Sequence, residues 1–184
     1  MRHVIALASV ALAASSAAAP AKHHGSAVVA GPSLPSFSFM GHSPAAVDPN
    51  PTGPDGKPCE ANPKSVPGDL TCTEFDATLA GENLSGFIMM DYYQGHLYHV
   101  FGEGKDAHYP TILQAFTAKY GQPTMSTEPW ESKAGAKFDN AIATWKFRDG
   151  TLHLDEMGLE RDDFSFEFYA NSNRPPAPAA KVDF

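Results

Sequence analysis

A chain of 184 residues with 21 acidic and 13 basic side chains and a formal charge of −8 has the length for one folded domain plus appendages. Its Lys and Arg residues are scattered among carboxylates. Nucleic acid and anionic membrane need clustered cations to replace the counterions on phosphate, so the composition argues against both as partners.

The chain opens with a short basic start, Met1-Arg2-His3, then an apolar run from Val4 to Ala14 and a small-residue stretch from Ser15 to Ala21. This is the pattern of a secretory signal peptide over residues 1–21. The apolar run is about half of the roughly 20 residues a membrane span needs, and no later segment comes close, so no transmembrane segment is expected. An A-x-A pattern fits a cut after Ala19 or after Ala21, with Ala18 as a competitor. A cut after Ala19 would leave Pro20 first, which a peptidase handles badly, so the expected site is Ala21. The mature chain then begins Lys22-His23-His24. Its α-amine, two deprotonated backbone amides and third-position imidazole would enclose Cu(II) or Ni(II) in a square plane. A different cut removes that site, and the alternative is a plain polar start to the chain.

Residues 22–69 hold most of the prolines, including the run DPNPTGPDGKP, and few large apolar side chains apart from Phe37, Phe39 and Met40. Such a composition buries little surface against the entropy of ordering, so the expectation is a proline-rich disordered tether. Cys59 and Cys72 are the only cysteines, and in an exported chain an even pair reads as a disulfide. That bond would staple the end of the tether to the first folded residues.

Residues 70–171 are the segment able to build a core, followed by a disordered tail at 172–184. CTEFDATLAG (72–81) reads as an edge strand or extended arm. GFIMMDYY and HLYHVFG flank Gln94-Gly95 and read as a hairpin of open register. In YPTILQAFTAKYGQP the residues Tyr109, Ile112, Leu113, Phe116 and Tyr120 fall at helical spacing. Pro110 suits the first turn of that helix, Gly121 its left-handed end, and Pro123 blocks continuation. IATWKFRDGTLHLDEM reads as a second hairpin around Asp149-Gly150, a two-residue type I′ turn. That turn sets Lys146 opposite His153 and Trp145 opposite Leu154, with Trp145 and Leu154 on the buried face. Phe164, Phe166 and Phe168 alternate with polar neighbours, giving a final strand. The economical fold is α+β: an antiparallel sheet of five or six strands with one helix packed on one face.

The helix ending Lys119-Tyr120-Gly121-x-Pro123, the strand carrying Trp145 and the D-G hairpin resemble small exported bacterial domains of uncharacterised activity, over roughly residues 71 to 170. The resemblance implies an envelope domain and brings no site residues.

Several residues offer chemistry. GHSPA (41–45) resembles a nucleophile elbow, but that motif needs a strand before it and a helix after it, and Ser43 lies in the proline-rich segment. Asp48, Asn50 and Asp55 faintly resemble a calcium loop without its terminal glutamate. His96, His99, His108 and His153, with Asp91, Asp155 and Glu156, are ligand or acid–base types with no H-E-x-x-H or equivalent spacing. Tyr92, Tyr93, His96, Tyr98 and Tyr109 would make a contact surface if exposed together. The leading expectation is an exported, periplasmic or secreted, non-enzymatic domain that binds another envelope component, with no cofactor beyond the N-terminal copper. The alternative is a hydrolase-type enzyme with a His/Asp/Glu site.

Overall fold

Alternating apolar residues from six strands meet in register, and this agreement builds the sheet. Cys72, Met90, Val100, Phe168, Leu152 and Trp145 stand abreast as one transverse row, every one of them buried. The structure, a computed structural model, describes residues 33–62 and 68–176. The segment read as a signal peptide and Lys22, His23 and His24 lie outside the described residues.

The strands are β1 (Glu60–Ala61), β2 (Leu70–Phe75), β3 (Thr78–Leu79), β4 (Glu82–Asn83), β5 (Phe87–Tyr93), β6 (His96–Lys105), β7 (Thr124–Glu131), β8 (Lys137–Lys146), β9 (Gly150–Asp155) and β10 (Asp163–Ala170). A 3-10 turn at Asp106–His108 leads into the helix α1 (Tyr109–Tyr120). Eight strands form one antiparallel sheet in the order β1-β2-β5-β6-β10-β9-β8-β7, and β3-β4 form a separate ribbon. The α+β class stands, but the sheet is larger than the five or six strands expected. The difference is β1, too short to show a pattern, and β7, whose TMSTEPWE is almost wholly exposed and so carries no apolar alternation. The last strand, β10, lies inside the sheet between β6 and β9.

One face of the sheet carries α1, with Tyr109, Ile112 and Phe116 buried and Leu113 and Tyr120 packed at the margin. Gly121 ends the helix at φ 88°, and its N–H bonds Thr117 O at 2.9 Å. A single helix cannot roof eight strands. Part of the rest of that face is covered by residues 35–40, which belong to the stretch read as a tether, a correction to that reading. Phe37 is fully buried and stacks on Phe168 with ring centroids 3.6 Å apart, while Phe39 and Phe116 both meet the Phe166 ring. Lys119 Nζ and the Tyr120 hydroxyl donate to Ser38 O, tying helix to strap. The composition is proline-rich, yet two phenylalanines at alternate positions suffice to anchor it. Cys59 and Cys72 are disulfide-bonded with Cα atoms 4.4 Å apart.

The β8–β9 hairpin exists, with Trp145 and Leu154 on the same buried face, but its register differs by two residues. Trp145 faces Leu152, and Lys146 faces Thr151. Phe147 N bonds Gly150 O at 2.8 Å, so Arg148 and Asp149 occupy the turn, and neither has a positive φ. The strap explains the choice. Arg148 N donates to Pro35 O, and Asp149 Oδ1 accepts from Phe37 N, both within 2.9 Å. Gly150 is needed for a different reason: a Cβ there would lie 2.3 Å from the Phe168 ring. The first hairpin turns at Gln94-Gly95, with φ of 51° and 76°, the positive pair a type I′ turn requires. Tyr98 is the extra residue of a bulge, since Tyr92 faces Leu97 and Asp91 faces His99.

Candidate functional site

Odd-numbered residues of β2, β5, β9 and β10, and of β6 from His99 onward, point away from the helix, and β8 contributes its even-numbered ones. The strand registers place Thr71, Asp91, His99, Tyr169, Thr151 and Lys146 in one row across this open face. Thr73, Met89, Phe101, Glu167, His153 and Thr144 form the next, and Phe75, Phe87, Glu103, Ser165, Asp155 and Ile142 the third.

At the centre of the first two rows, His99 sits between two carboxylates. Its Nδ1 is 2.8 Å from Asp91 Oδ2 and its Nε2 is 3.1 Å from Glu167 Oε1. The Thr71 hydroxyl donates to Asp91 Oδ1 at 2.5 Å and hydrogen bonds the Asn62 side-chain amide. Tyr169 lies flat on the imidazole at 4.4 Å, and Arg174 stacks on the outer side of that ring. Asp91 and His99 are both buried. Burial opposes charge on His99, but the hydrogen bonds to Asp91 and Glu167 outweigh it and hold the imidazole pKa above its ordinary value. The His99 bond in turn holds Glu167 below the usual carboxylate range against the cost of burial. Burial, together with the Glu167 carboxylate, pushes the Tyr169 phenol up to about 12.

Beside this cluster the face is apolar. Phe75, Phe87 and Phe101 stand side by side across β2, β5 and β6, with centroids 6.2 and 5.6 Å apart. Phe75 is 75% exposed. Around them are the carboxylates Glu103, Asp155 and Glu167. Burial pushes Glu103 and Asp155 above the usual carboxylate range. Lys105, the lysine nearest in the strand register, is held by Asp163 at 2.5 Å.

The arrangement constrains chemistry. A histidine that donates from both ring nitrogens has no lone pair with which to take a proton, so His99 is not placed as a general base. The four histidines named from the sequence do not converge: His96 bonds Pro44 O, His108 faces Glu82, and His153 bonds the Thr144 hydroxyl. Of these, His153 shares the open face with His99 through Glu167, which lies opposite His153 in the sheet. Asp155 is held by Asn140, and Glu156 lies with Tyr109 at a small cavity near the start of α1. Ser43 Oγ accepts from Ala45 N in a local turn, and His42 reaches Asp48 only at 4.0 Å. Asp48 and Asp55 cap the N–H groups of Asn50 and Lys57. Among the described residues no group of three His, Cys, Asp or Glu side chains is arranged to hold a metal ion.

The tyrosine contact surface is corrected by burial. Tyr92, Tyr98 and Tyr109 are each 7% exposed or less and belong to the core, leaving Tyr93 and His96 half-buried at the hairpin. Desolvation raises the Tyr92 phenol and pushes Tyr98 up to about 12. Glu167, Thr71 and the three phenylalanines were missed. The signal for Glu167 and Tyr169 was present, since FSFEFYA assigns them to the face opposite Phe166. Phe87 and Phe101 were hidden because apolar residues flank them on both faces and the bulge at Tyr98 breaks the alternation. No helix among the described residues is long and apolar enough to cross a membrane. No protein-family model matches the chain, and no significant similarity links it to a curated protein or a solved structure.

Proposed function

We propose that this is an exported binding domain, periplasmic or secreted, that uses the open face of its sheet to hold a protein of the cell envelope. The observation that carries the reading is the aromatic strip of Phe75, Phe87 and Phe101 on an uncovered face, rimmed by carboxylates. A contiguous apolar patch rimmed by polar groups is the signature of a contact surface. The rim selects a partner surface that is apolar at its centre and cationic at its edge, because opposite charge steers the encounter and like charge is rejected. The His99 cluster is the rigid block beside it: one imidazole bonded to two carboxylates ties together β5, β6 and β10, so the face is presented in a fixed shape. The signal-peptide pattern, the disulfide and the resemblance to exported domains support the location.

The reading is tested by site-specific photo-crosslinking in the producing cell. A photoreactive residue at His153, on the open face, should give one discrete adduct, and the same residue at Gln114, on the outer surface of α1, should give none. Phe101→Ser should abolish the His153 adduct while the folded protein persists. Equal adducts from both faces, or an adduct insensitive to Phe101→Ser, would remove the open face as the binding surface.

A further inference from the structure

The two borders of the sheet are treated differently. β7 is guarded by Pro129, which cannot donate to an incoming strand, and by Glu128 and Glu131. β2 pairs with β1 at Leu70 and Thr71, and the disulfide holds Cys59 beside Cys72 with Cα atoms 4.4 Å apart, so Thr73 to Phe75 has no strand beside it among the described residues. Asp76 N donates inward to Gly86 O at 2.7 Å. Because successive residues of a strand turn their backbone groups to opposite sides, Thr73 and Phe75 present N–H and C=O outward. Alongside that edge lies a cavity of about 470 Å³ between the loop at Gly53–Lys57 and the side chains of Thr73 and Phe75.

We propose that the outer edge of β2 accepts an extended peptide segment of another protein, which adds to the sheet as a further strand. The proposal rests on the binding reading above and names the form its partner takes. Backbone hydrogen bonds to Thr73 and Phe75 supply the register, and side chains at alternate positions supply the choice of sequence. On the open-face side, the incoming residue meets the exposed Phe75 ring, which favours an apolar side chain. On the other side it meets Glu74, whose Oε2 is buried and has no hydrogen-bond partner. A buried carboxylate oxygen in that state is costly unless a donor or cation reaches it. Lys57 is already engaged by Asp55 at 2.6 Å. The fitting segment therefore alternates basic and apolar residues. Free β-pairing groups at Thr73 and Phe75, a groove beside them and the unsatisfied carboxylate of Glu74 between them on the same strand point to that occupant.

The test uses the full oxidised protein and the blocked hexapeptide Lys-Val-Lys-Val-Lys-Val carrying a fluorophore, read by anisotropy. Saturable binding is expected. Methylating alternate backbone nitrogens of the peptide leaves charge and side chains but removes strand pairing, and should weaken binding about tenfold or more. Thr73→Pro deletes an outward N–H where edge strands tolerate proline, and should do the same while the melting temperature holds. Glu74→Gln should weaken the lysine peptide and leave a Ser-Val-Ser-Val-Ser-Val peptide unaffected. If Thr73→Pro fails to fold, the methylated peptide on the unaltered protein decides. Equal binding of methylated and unmethylated peptides would show charge attraction alone and overturn the proposal, as would no saturable binding. Loss of the edge with the His153 adduct retained would sink this inference only. Peptide binding without that adduct would sink the open-face reading only.

Discussion

Two strands supply His99 with carboxylates that favour its charged form, and this makes the fold pH-sensitive in a defined direction. Its folded pKa is raised, so its contribution is fully present below the ordinary imidazole value of about 6.5 and is lost as the pH rises through the folded value. Glu167 is lowered in the fold, so its contribution is present above the ordinary carboxylate value and is lost as the pH falls through the folded one. Stability measured by denaturant titration should therefore plateau between those limits and fall on the alkaline side of neutrality. His99→Gln should flatten that alkaline fall. His99→Ala strips the partner from a buried carboxylate and should cost about 3–5 kcal/mol. A wild-type curve that stays level from pH 6 to pH 9 would refute the assignment. Gly150 gives a second residue-scale expectation. Gly150→Ala drives a methyl group into Phe168 and should destabilise by about 1–3 kcal/mol in urea melts, whereas a tolerated alanine would contradict the close approach. Little of this was legible beforehand. His99 and Asp91 were named among the candidates but not as a pair, and Glu167 was not named, because Asp91 and Glu167 lie 8 and 68 positions from His99 along the chain and only strand pairing brings them in.

At the scale of elements, helix and hairpins were legible because each carries its instructions locally. The α1 stripe, Pro110 and Gly121 lie within one short stretch, and Gln94-Gly95 specifies its own turn. The β8–β9 register was not, because the turn is chosen by Pro35 and Phe37, more than a hundred residues upstream. Paired cysteines at Lys146 and Thr151 should therefore cross-link readily, and a pair at Lys146 and His153 should not. The reverse pattern in non-reducing gels would restore the D-G register. The strap has energetic weight as well. Phe37→Ala removes a ring stacked on Phe168 and should cost about 3–5 kcal/mol, as should Trp145→Ala, against less than about 0.5 kcal/mol for the exposed Lys146→Ala. Composition hid that role, since a proline-rich segment with few apolar residues looks unable to hold itself down, and two rings in the right place are enough.

For the molecule as a whole, the disulfide fixes Cys59, in the proline-rich segment downstream of the strap, to β2 across a separation of 13 residues. Labelling of the denatured, unreduced protein should find no free thiol, and reduction should lower stability by about 3 kcal/mol by loosening the unfolded chain. Two reactive thiols before reduction would remove the bond. The same bond borders the groove beside Thr73, so reduction should also weaken the hexapeptide's binding if the loop at Gly53–Lys57 drifts from its wall. The class of fold was legible because strands and one helix announce themselves. The strand order was not, since pairing across the chain has no local signature.

That order has a temporal meaning. β2, β5 and β6 can pair as soon as they exist, and so can β7, β8 and β9, but the two groups share no ladder until β10 slides between β6 and β9. Phe166 and Phe168, against which Phe37, Phe39 and Phe116 pack, sit on that late strand. A chain emerging N-terminus first therefore carries two unfinished half-sheets, each with a raw inner border, until Asp163–Ala170 is free. If the chain crosses a membrane unfolded, as the proposed export requires, this postpones closure to the end of transit and makes the last strand the latch.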